Sequence, residues 1–566
     1  MKHMNKKNSS KNILNFSEYF IIFLFYVSTY VSFLLLFLTF DVVQSPDFAK
    51  YIKYYLFYNG EISNTGVEQG NLYFFYNYLG TYLLSLIFKS YSLSELINIS
   101  IHITSTLLFL FGLLGYKKYL IRKGFKKTNV YLSLILLNFL PSCIEMRLTL
   151  KPEIFAFSLL GWILYYLSKY SESADKKYLH LFILFISFAL TSKASISLML
   201  GVFLFIEIWI NYKFLLSKQY LKYYLLASLV CLTLIIENSN LNGKYLNQVE
   251  HSKNYDNKAE IEFFTNINSE HLVANPNRYF HRDSFISATL FDTFSDFFLL
   301  YWNSEHSELN KGRENFFKID RSFDDSRFPN ITYDKEEGFL TIIGNFDARY
   351  EDTYYTNETR MRGAYNVSII FYILLIVFGI YKRKDINKLL SPFLGMVTIS
   401  LSALGIFGNN FDPLVGDSIK TYYYSFFIAM GFLFLLNYLF ELNFYKKMIS
   451  FFLILFFFFV LGFPKSFDVE IKDDISYKNA LLPTCEINVV IVDYMFGTNS
   501  KDRCDPENFI YEANNKIRKW APVSLVPELS KSIKIKNIPY LNLVLVFIAI
   551  FITKKEYWIR FFKSKL

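Results

Sequence analysis

Leu38 to Gly60 reads LTFDVVQSPDFAKYIKYYLFYNG, and here a long apolar run gives way to an acidic and then an aromatic stretch. Asp41 and Asp47 stand within a turn or two of the end of that run, and Asp47 opens a segment carrying Tyr51, Tyr54, Tyr55, Phe57 and Tyr58. Carboxylates are costly to hold near hydrocarbon, so a pair at the edge of a bilayer span marks a candidate site. The plainer alternative is that they end a helix and face water.

The run before them, from about Tyr19 to Phe40, follows a basic start with Lys2, Lys6, Lys7 and Lys11. It is too long for a secretory apolar region and lacks a small-residue cleavage site, so a retained first span is expected. The basic end then lies in the cytoplasm, and the loop from Asp41 to Asn71 lies outside. Of the 566 residues, 53% are hydrophobic and 20% aromatic, more than a soluble domain carries, and they fall in long runs. The chain reads as a polytopic membrane protein. Its net charge of +10 sits mostly in short loops between apolar runs, which makes it an orientation signal and not the mark of a nucleic-acid partner. The four Cys residues have no pair at zinc-finger spacing.

Asn71 to Phe88 is apolar but rich in Tyr, and Leu96 to Leu114 is a cleaner run. Counting both as spans would put the basic segment Gly115 to Lys127 outside. The positive-inside rule therefore makes Asp47 to Phe88 two aromatic amphipathic helices lying along the membrane surface. Further spans are expected at 129–142, 154–167, 179–191, 194–210, 223–236, 366–380, 389–407, 421–440, 449–463 and 540–552. The expected fold is an all-α polytopic membrane bundle of about twelve spans, with both termini cytoplasmic, interfacial helices and two extracytoplasmic insertions. Its parts are a transmembrane module over 1–236, an insertion over 237–365, helices over 366–463, a second outer segment over 464–538, and a last span with basic tail over 539–566.

No P-loop, dinucleotide-binding glycine motif, HExxH helix or nucleophile elbow occurs in a usable context. Without a cytoplasmic nucleotide-binding module, any reaction must use a substrate in, or delivered through, the membrane. Beside Asp41 and Asp47, the outer loops carry Glu145, Arg147, Lys151 and Glu153 in SCIEMRLTLKPEIF, Lys193 after Ser192, and Asp417, Lys420 and Tyr422 in DSIKTY. A carboxylate can take the proton of an acceptor hydroxyl, and cations can neutralise a departing phosphate, so the set suits transfer from a lipid phosphate. Taken singly, each charge also reads as a solvated loop residue or a snorkelling side chain.

The first span followed by SPDFAKY, the aromatic helices, the basic hairpin and then RLTLKPEIFAFSLLGWILYYLSKY resemble the GT-C superfamily of polytopic glycosyltransferases. Within it, the likeness is to bacterial members grouped with dolichyl-phosphate-mannose protein mannosyltransferases and lipid A aminoarabinose transferases. It covers roughly the first 210 residues and, more weakly, Asp417 to Tyr424. The resemblance implies a polyprenyl-phosphate sugar donor attacked with inversion, and a general base in the first outer loop that maps onto Asp47, with Asp41 as the alternative. It also implies that Lys420 and Tyr422 form a basic-Tyr pair near the donor phosphate, beside which Arg147 and Lys193 stand as candidate phosphate-binding cations from the outer-loop charges, and Glu153 matches a recurrent acidic position. The chain departs from the pattern in lacking a paired Asp-Glu in its first loop and in its long later insertion, which leaves open whether a glycan, a lipid or a protein is the acceptor.

That insertion contains Phe280, Phe285, Phe291, Phe294, Phe297, Phe298, Tyr301 and Trp302 among Arg278, His281 and Arg282. Such a mix suits a sugar-binding surface, with His281, Arg282 and Trp302, together with Glu145 and Glu153, as candidate substrate contacts. A re-entrant or interfacial helix fits it as well. Asp292 and Asp296, one helical turn apart, are candidates for a divalent metal. Cys485 and Cys504 share the last outer segment, where a disulfide is expected. Two rivals to the transferase reading stand: an outward-facing polysaccharide polymerase or ligase, and a transporter or flippase, against which the lack of repeated halves counts.

Overall fold

The computed structural model describes residues 2–39, 46–65, 67, 69–91, 93–242, 264–265, 285–294, 358–403, 421–459 and 533–563. Among them there is no β-strand. The helices in chain order are α1 (Lys2–Thr39), α2 (Pro46–Asn59), α3 (Asn71–Ile87), α4 (Leu93–Arg122), α5 (Lys127–Leu137), α6 (Pro141–Leu148), α7 (Glu153–Ser173), α8 (Lys176–Leu190), α9 (Ala194–Asn211) and α10 (Leu221–Asn242). They continue as α11 (Phe285–Asp292), α12 (Glu358–Tyr381), α13 (Ile386–Leu389), α14 (Ser391–Ala403), α15 (Ser425–Leu439), α16 (Phe444–Phe457) and α17 (Tyr540–Lys563).

Among the described residues six stretches are long and apolar enough to cross a membrane: Glu18–Leu38, Glu95–Arg122, Ala194–Asn211, Lys218–Leu241, Gly363–Tyr381 and Thr421–Leu439. A seventh appears if α5 and α6, bent by 58° at their junction, count as one span. Where they are described, the other expected spans are helical too, but shorter or more polar, such as α8 with 15 residues and α16 with 14. Length and apolarity alone therefore mark six or seven crossings among the described residues, fewer than the number expected from sequence.

The bend has a chemical cause. Pro141 at the start of α6 has no N–H to continue the ladder of α5, so carbonyls near Asn138 lose their partners. The Asn138 carbonyl instead accepts from Ser32 Oγ at 3.0 Å and from Arg147 Nη2 at 2.6 Å. What reads in sequence as the outer loop CIEMRLTLKPE is thus largely a buried helix.

The core is the pair α4 and α7, which approach closely because Gly112, Gly115 and Gly161 face each other across the contact. A Cβ on Gly161 would lie 2.6 Å from the Tyr116 backbone nitrogen, where nothing can yield. Aromatic rings fill the flanks: Phe109 stacks on Phe157 and Phe111 on Trp162, both at 5.0 Å, and the Trp162 indole donates to the Phe111 carbonyl at 2.8 Å. Gly161→Val is expected to force the helices apart and destabilise the protein by roughly 1–3 kcal/mol, read as a lower melting temperature in detergent. Central among the later helices, α15 packs on α5, α6, α7 and α14.

Of the two aromatic helices, α2 is buried along most of its length, whereas α3 is buried over its first half and exposes Leu83, Leu86 and Ile87 towards its end. On α2, Tyr51, Ile52, Tyr54, Tyr55, Leu56, Phe57 and Tyr58 are all buried, because α3 covers one side and the residues before α17 cover another. Tyr78 donates to the Lys534 carbonyl at 2.7 Å, and Lys534 and Lys536 donate their backbone N–H to Asn59 Oδ1 and the Tyr58 carbonyl. The Glu237 carboxylate, in the second-to-last turn of α10, accepts from the Leu541 and Asn542 N–H groups at 2.8 and 3.2 Å and so caps α17. Phe285, Thr289, Thr293 and Phe294, expected on an outer aromatic surface or a re-entrant helix, are buried against α12 and α15, with Thr293 bonded to Tyr372 and Tyr424 to Thr289. Phe285 and Thr289 stand on the short helix α11, and Thr293 and Phe294 follow it directly.

The bundle has two chemically distinct ends. At one, the ends of α4 and α7 are joined by Arg122 and Glu172, Lys382 pairs with Glu441 at 3.8 Å, and Lys447 donates to Asn129 at 2.6 Å. Asp385, in the same region, lies 3.2 Å from Lys123. Burial pushes its carboxyl up, but Lys388, Lys123 and the Tyr438 hydroxyl outweigh burial and leave it below the ordinary value. A depressed carboxyl stabilises the fold fully above its unfolded value near 3.8 and loses that contribution as pH falls through the folded value. Melting temperature should therefore drop as pH falls below about 4, and Asp385→Asn should flatten that part of the profile.

Candidate functional site

The other end gathers five of the residues singled out from sequence, Glu145, Lys151, Glu153, Lys193 and Tyr422. Pro152 caps α7, so that Glu153 is its first residue, and the Glu153 side chain is wholly buried. Forty residues on, Lys193 caps α9 after the turn at Thr191 and Ser192, and its ammonium lies 2.5 Å from Glu153 Oε1. That ammonium also sits 4.3 Å from the centre of the Tyr423 ring. Lys151, 1% exposed, lies 5.4 Å from the centre of the neighbouring Tyr422 ring. The Tyr422 hydroxyl bonds Thr149 Oγ1 at 2.6 Å, and Glu153, Tyr73 and Glu145 are all within its electrostatic reach. Glu145 is also buried.

The same end is held by backbone contact. Gly70 donates to the Ser192 carbonyl at 2.8 Å, and a Cβ there would fall 2.3 Å from the Thr191 oxygen, so only glycine lets the chain pass. A narrow crevice runs beside it, lined by Asn71, Tyr73, Phe155, Ser192, Asn238 and Asn542. Ring contacts link it to α2: Tyr51 lies against Phe74, Phe74 against Tyr73, and Tyr73 against Phe155, two residues from Glu153. Asp47 is in the first turn of that same α2, although its side chain lies outside the described residues.

Arg147 is turned to the bend. Its guanidinium donates to the Asn138 and Cys143 carbonyls and lies 4.6 Å from the Phe109 ring centre. Asp41, His281, Arg282, Asp296, Trp302, Asp417, Lys420, Cys485 and Cys504 lie outside the described residues, as does the side chain of Asp292. Cys143 and Cys231 are free thiols. Among the described residues no three His, Cys, Asp or Glu side chains gather as a metal site.

Sequence reading missed Thr149, Tyr73 and Tyr423, whose positions carry no local signal beyond the Tyr422 to Tyr424 run. It also passed over Glu207, the one acidic residue in the apolar helix α9, although a lone carboxylate in a span marks a site by default. No protein-family profile, curated protein or solved structure matches the chain.

Proposed function

We propose that this chain is a membrane glycosyltransferase of the GT-C type, moving a sugar from a polyprenyl-phosphate donor to a glycan, lipid or protein acceptor outside the cytoplasmic membrane. The observation that carries the reading is the convergence of Lys151, Glu153, Lys193 and Tyr422 at one end of the bundle, beside the helix that bears Asp47. Two ammonium groups gathered with a tyrosine hydroxyl at the end of a helix bundle are suited to the charge of a lipid-borne phosphate arriving from the membrane.

Asp47 takes the proton of the acceptor hydroxyl while that oxygen attacks the anomeric carbon. The bond from this carbon to the phosphate oxygen breaks, and its electron pair leaves with the phosphate. Lys193 and Lys151 neutralise that oxygen, with Arg147 and Lys420 adding to the positive field, and the configuration inverts. Glu153 holds Lys193 in place. The basic end of the bundle faces the cytoplasm, the site faces outward, α2 and α3 lie at the outer surface, and the chain crosses the membrane about twelve times. The long insertion selects the acceptor.

Purified protein in lipid nanodiscs, given a labelled sugar on polyprenyl phosphate, should transfer label and release the lipid phosphate. One sugar per acceptor marks a transferase, and a ladder of lengths marks a polymerase. Turnover of a nucleotide-sugar with no lipid donor present would overturn the reading.

A further inference from the structure

Helix α9 touches the candidate site at one end and a second cluster of buried charge at the other. Lys193 caps its start, and Glu207, 0% exposed, sits fourteen residues further on, about 21 Å along the axis. Glu207 Oε2 accepts from Asn211 Nδ2 at 3.0 Å, from Asn387 Nδ2 and from Lys388 Nζ. Lys388, also 0% exposed, lies 3.6 Å from Asp385 Oδ1, which in turn faces Lys123. The Tyr438 hydroxyl donates to Asp385 Oδ2 at 2.6 Å. Tyr438 belongs to α15, the helix that follows directly on Tyr422 and Tyr423.

The same two helices are thus tied twice. At the site, Lys193 ahead of α9 meets Tyr423 ahead of α15. At the far end, Glu207 of α9 is joined through Lys388 and Asp385 to Tyr438 of α15. Buried ion pairs contribute little net stability over apolar packing, but they fix register, because directional bonds do not survive a slide of one helix past another. Apolar side chains would have filled the same space.

We propose that the network of Glu207, Lys388, Asp385 and Tyr438 is a remote positioning clasp: by fixing α9 against α15 at the far end, it sets Lys193 against Glu153 and Tyr423. A helix transmits the constraint because it is stiff over four turns. The inference concerns where Lys193 is held and does not depend on the reaction proposed above.

The test reads Lys193 directly in the full chain. Folded protein in nanodiscs is treated with a water-soluble N-hydroxysuccinimide acetate, and peptide mass spectrometry gives the acetylation rate of Lys193 relative to the exposed Lys176. The variant Glu207→Gln/Lys388→Met leaves neither of these two positions with an uncompensated charge, so it should fold, yet it removes the register. The rate ratio should rise about fivefold or more as the tie is lost. Where that variant does not accumulate, Tyr438→Phe, which removes one hydroxyl, should raise the ratio by a smaller factor. A wild-type ratio in whichever folded variant is measured overturns the proposal. That result would leave the transferase reading untouched, just as absent transfer would leave the clasp untouched.

Discussion

Asp47→Asn is expected to abolish sugar transfer while the protein inserts and accumulates as the wild type does. The amide keeps the size of the side chain and its hydrogen-bonding shape, but it cannot accept a proton. General-base assistance is worth roughly 10²–10⁴ in rate, so the residual activity should fall below that of any other single conservative exchange at the site. Donor binding should persist, because the base acts on the acceptor. Asp41→Asn is the matched control and should retain transfer. Wild-type rates in Asp47→Asn would remove the base assignment, and loss in Asp41→Asn alone would move it.

The second large effect is on stability. Lys193→Met leaves the Glu153 carboxylate wholly buried without its 2.5 Å ammonium partner. Breaking a buried pair from one side costs roughly 3–5 kcal/mol, because the remaining charge has no compensation. A strong drop in melting temperature is expected. Adding Glu153→Gln removes that uncompensated charge and should recover much of the loss without recovering transfer, since no ammonium faces the phosphate. Melting curves and transfer assays on the three variants separate the two roles. Equal stability of Lys193→Met and the wild type would contradict the burial argument, and an active double variant would contradict the chemical one.

How far the sequence could be read followed from what hydropathy records. The runs that became α1, α4, α9, α10, α12 and α15 were legible because length and apolarity are properties of one segment. The end of the bundle holding Glu153 and Lys193 was legible in outline, as charged loops falling on one face. Their state was not. Residues 143–148 read as part of a loop because they hold Glu145 and Arg147, yet Pro141 bends the chain back into the bundle and both are buried. Partners that make such burial tolerable lie far off in sequence: Lys193 is 40 residues from Glu153, and Lys388 is 181 from Glu207. No local window contains both members of either pair. In the same way, the Tyr and Phe residues of α2 suggested a surface helix, because nothing nearby announces that residues 533–540 return to cover it.

The central claim is tested most directly in membranes carrying either wild-type protein or Asp47→Asn, offered a small panel of radiolabelled polyprenyl-phosphate sugars. Label moving to an acceptor with the wild type alone is the predicted result, and it supports the reaction class and the base together. No transfer from any lipid-linked donor by folded wild-type protein would contradict the account and return weight to a transporter.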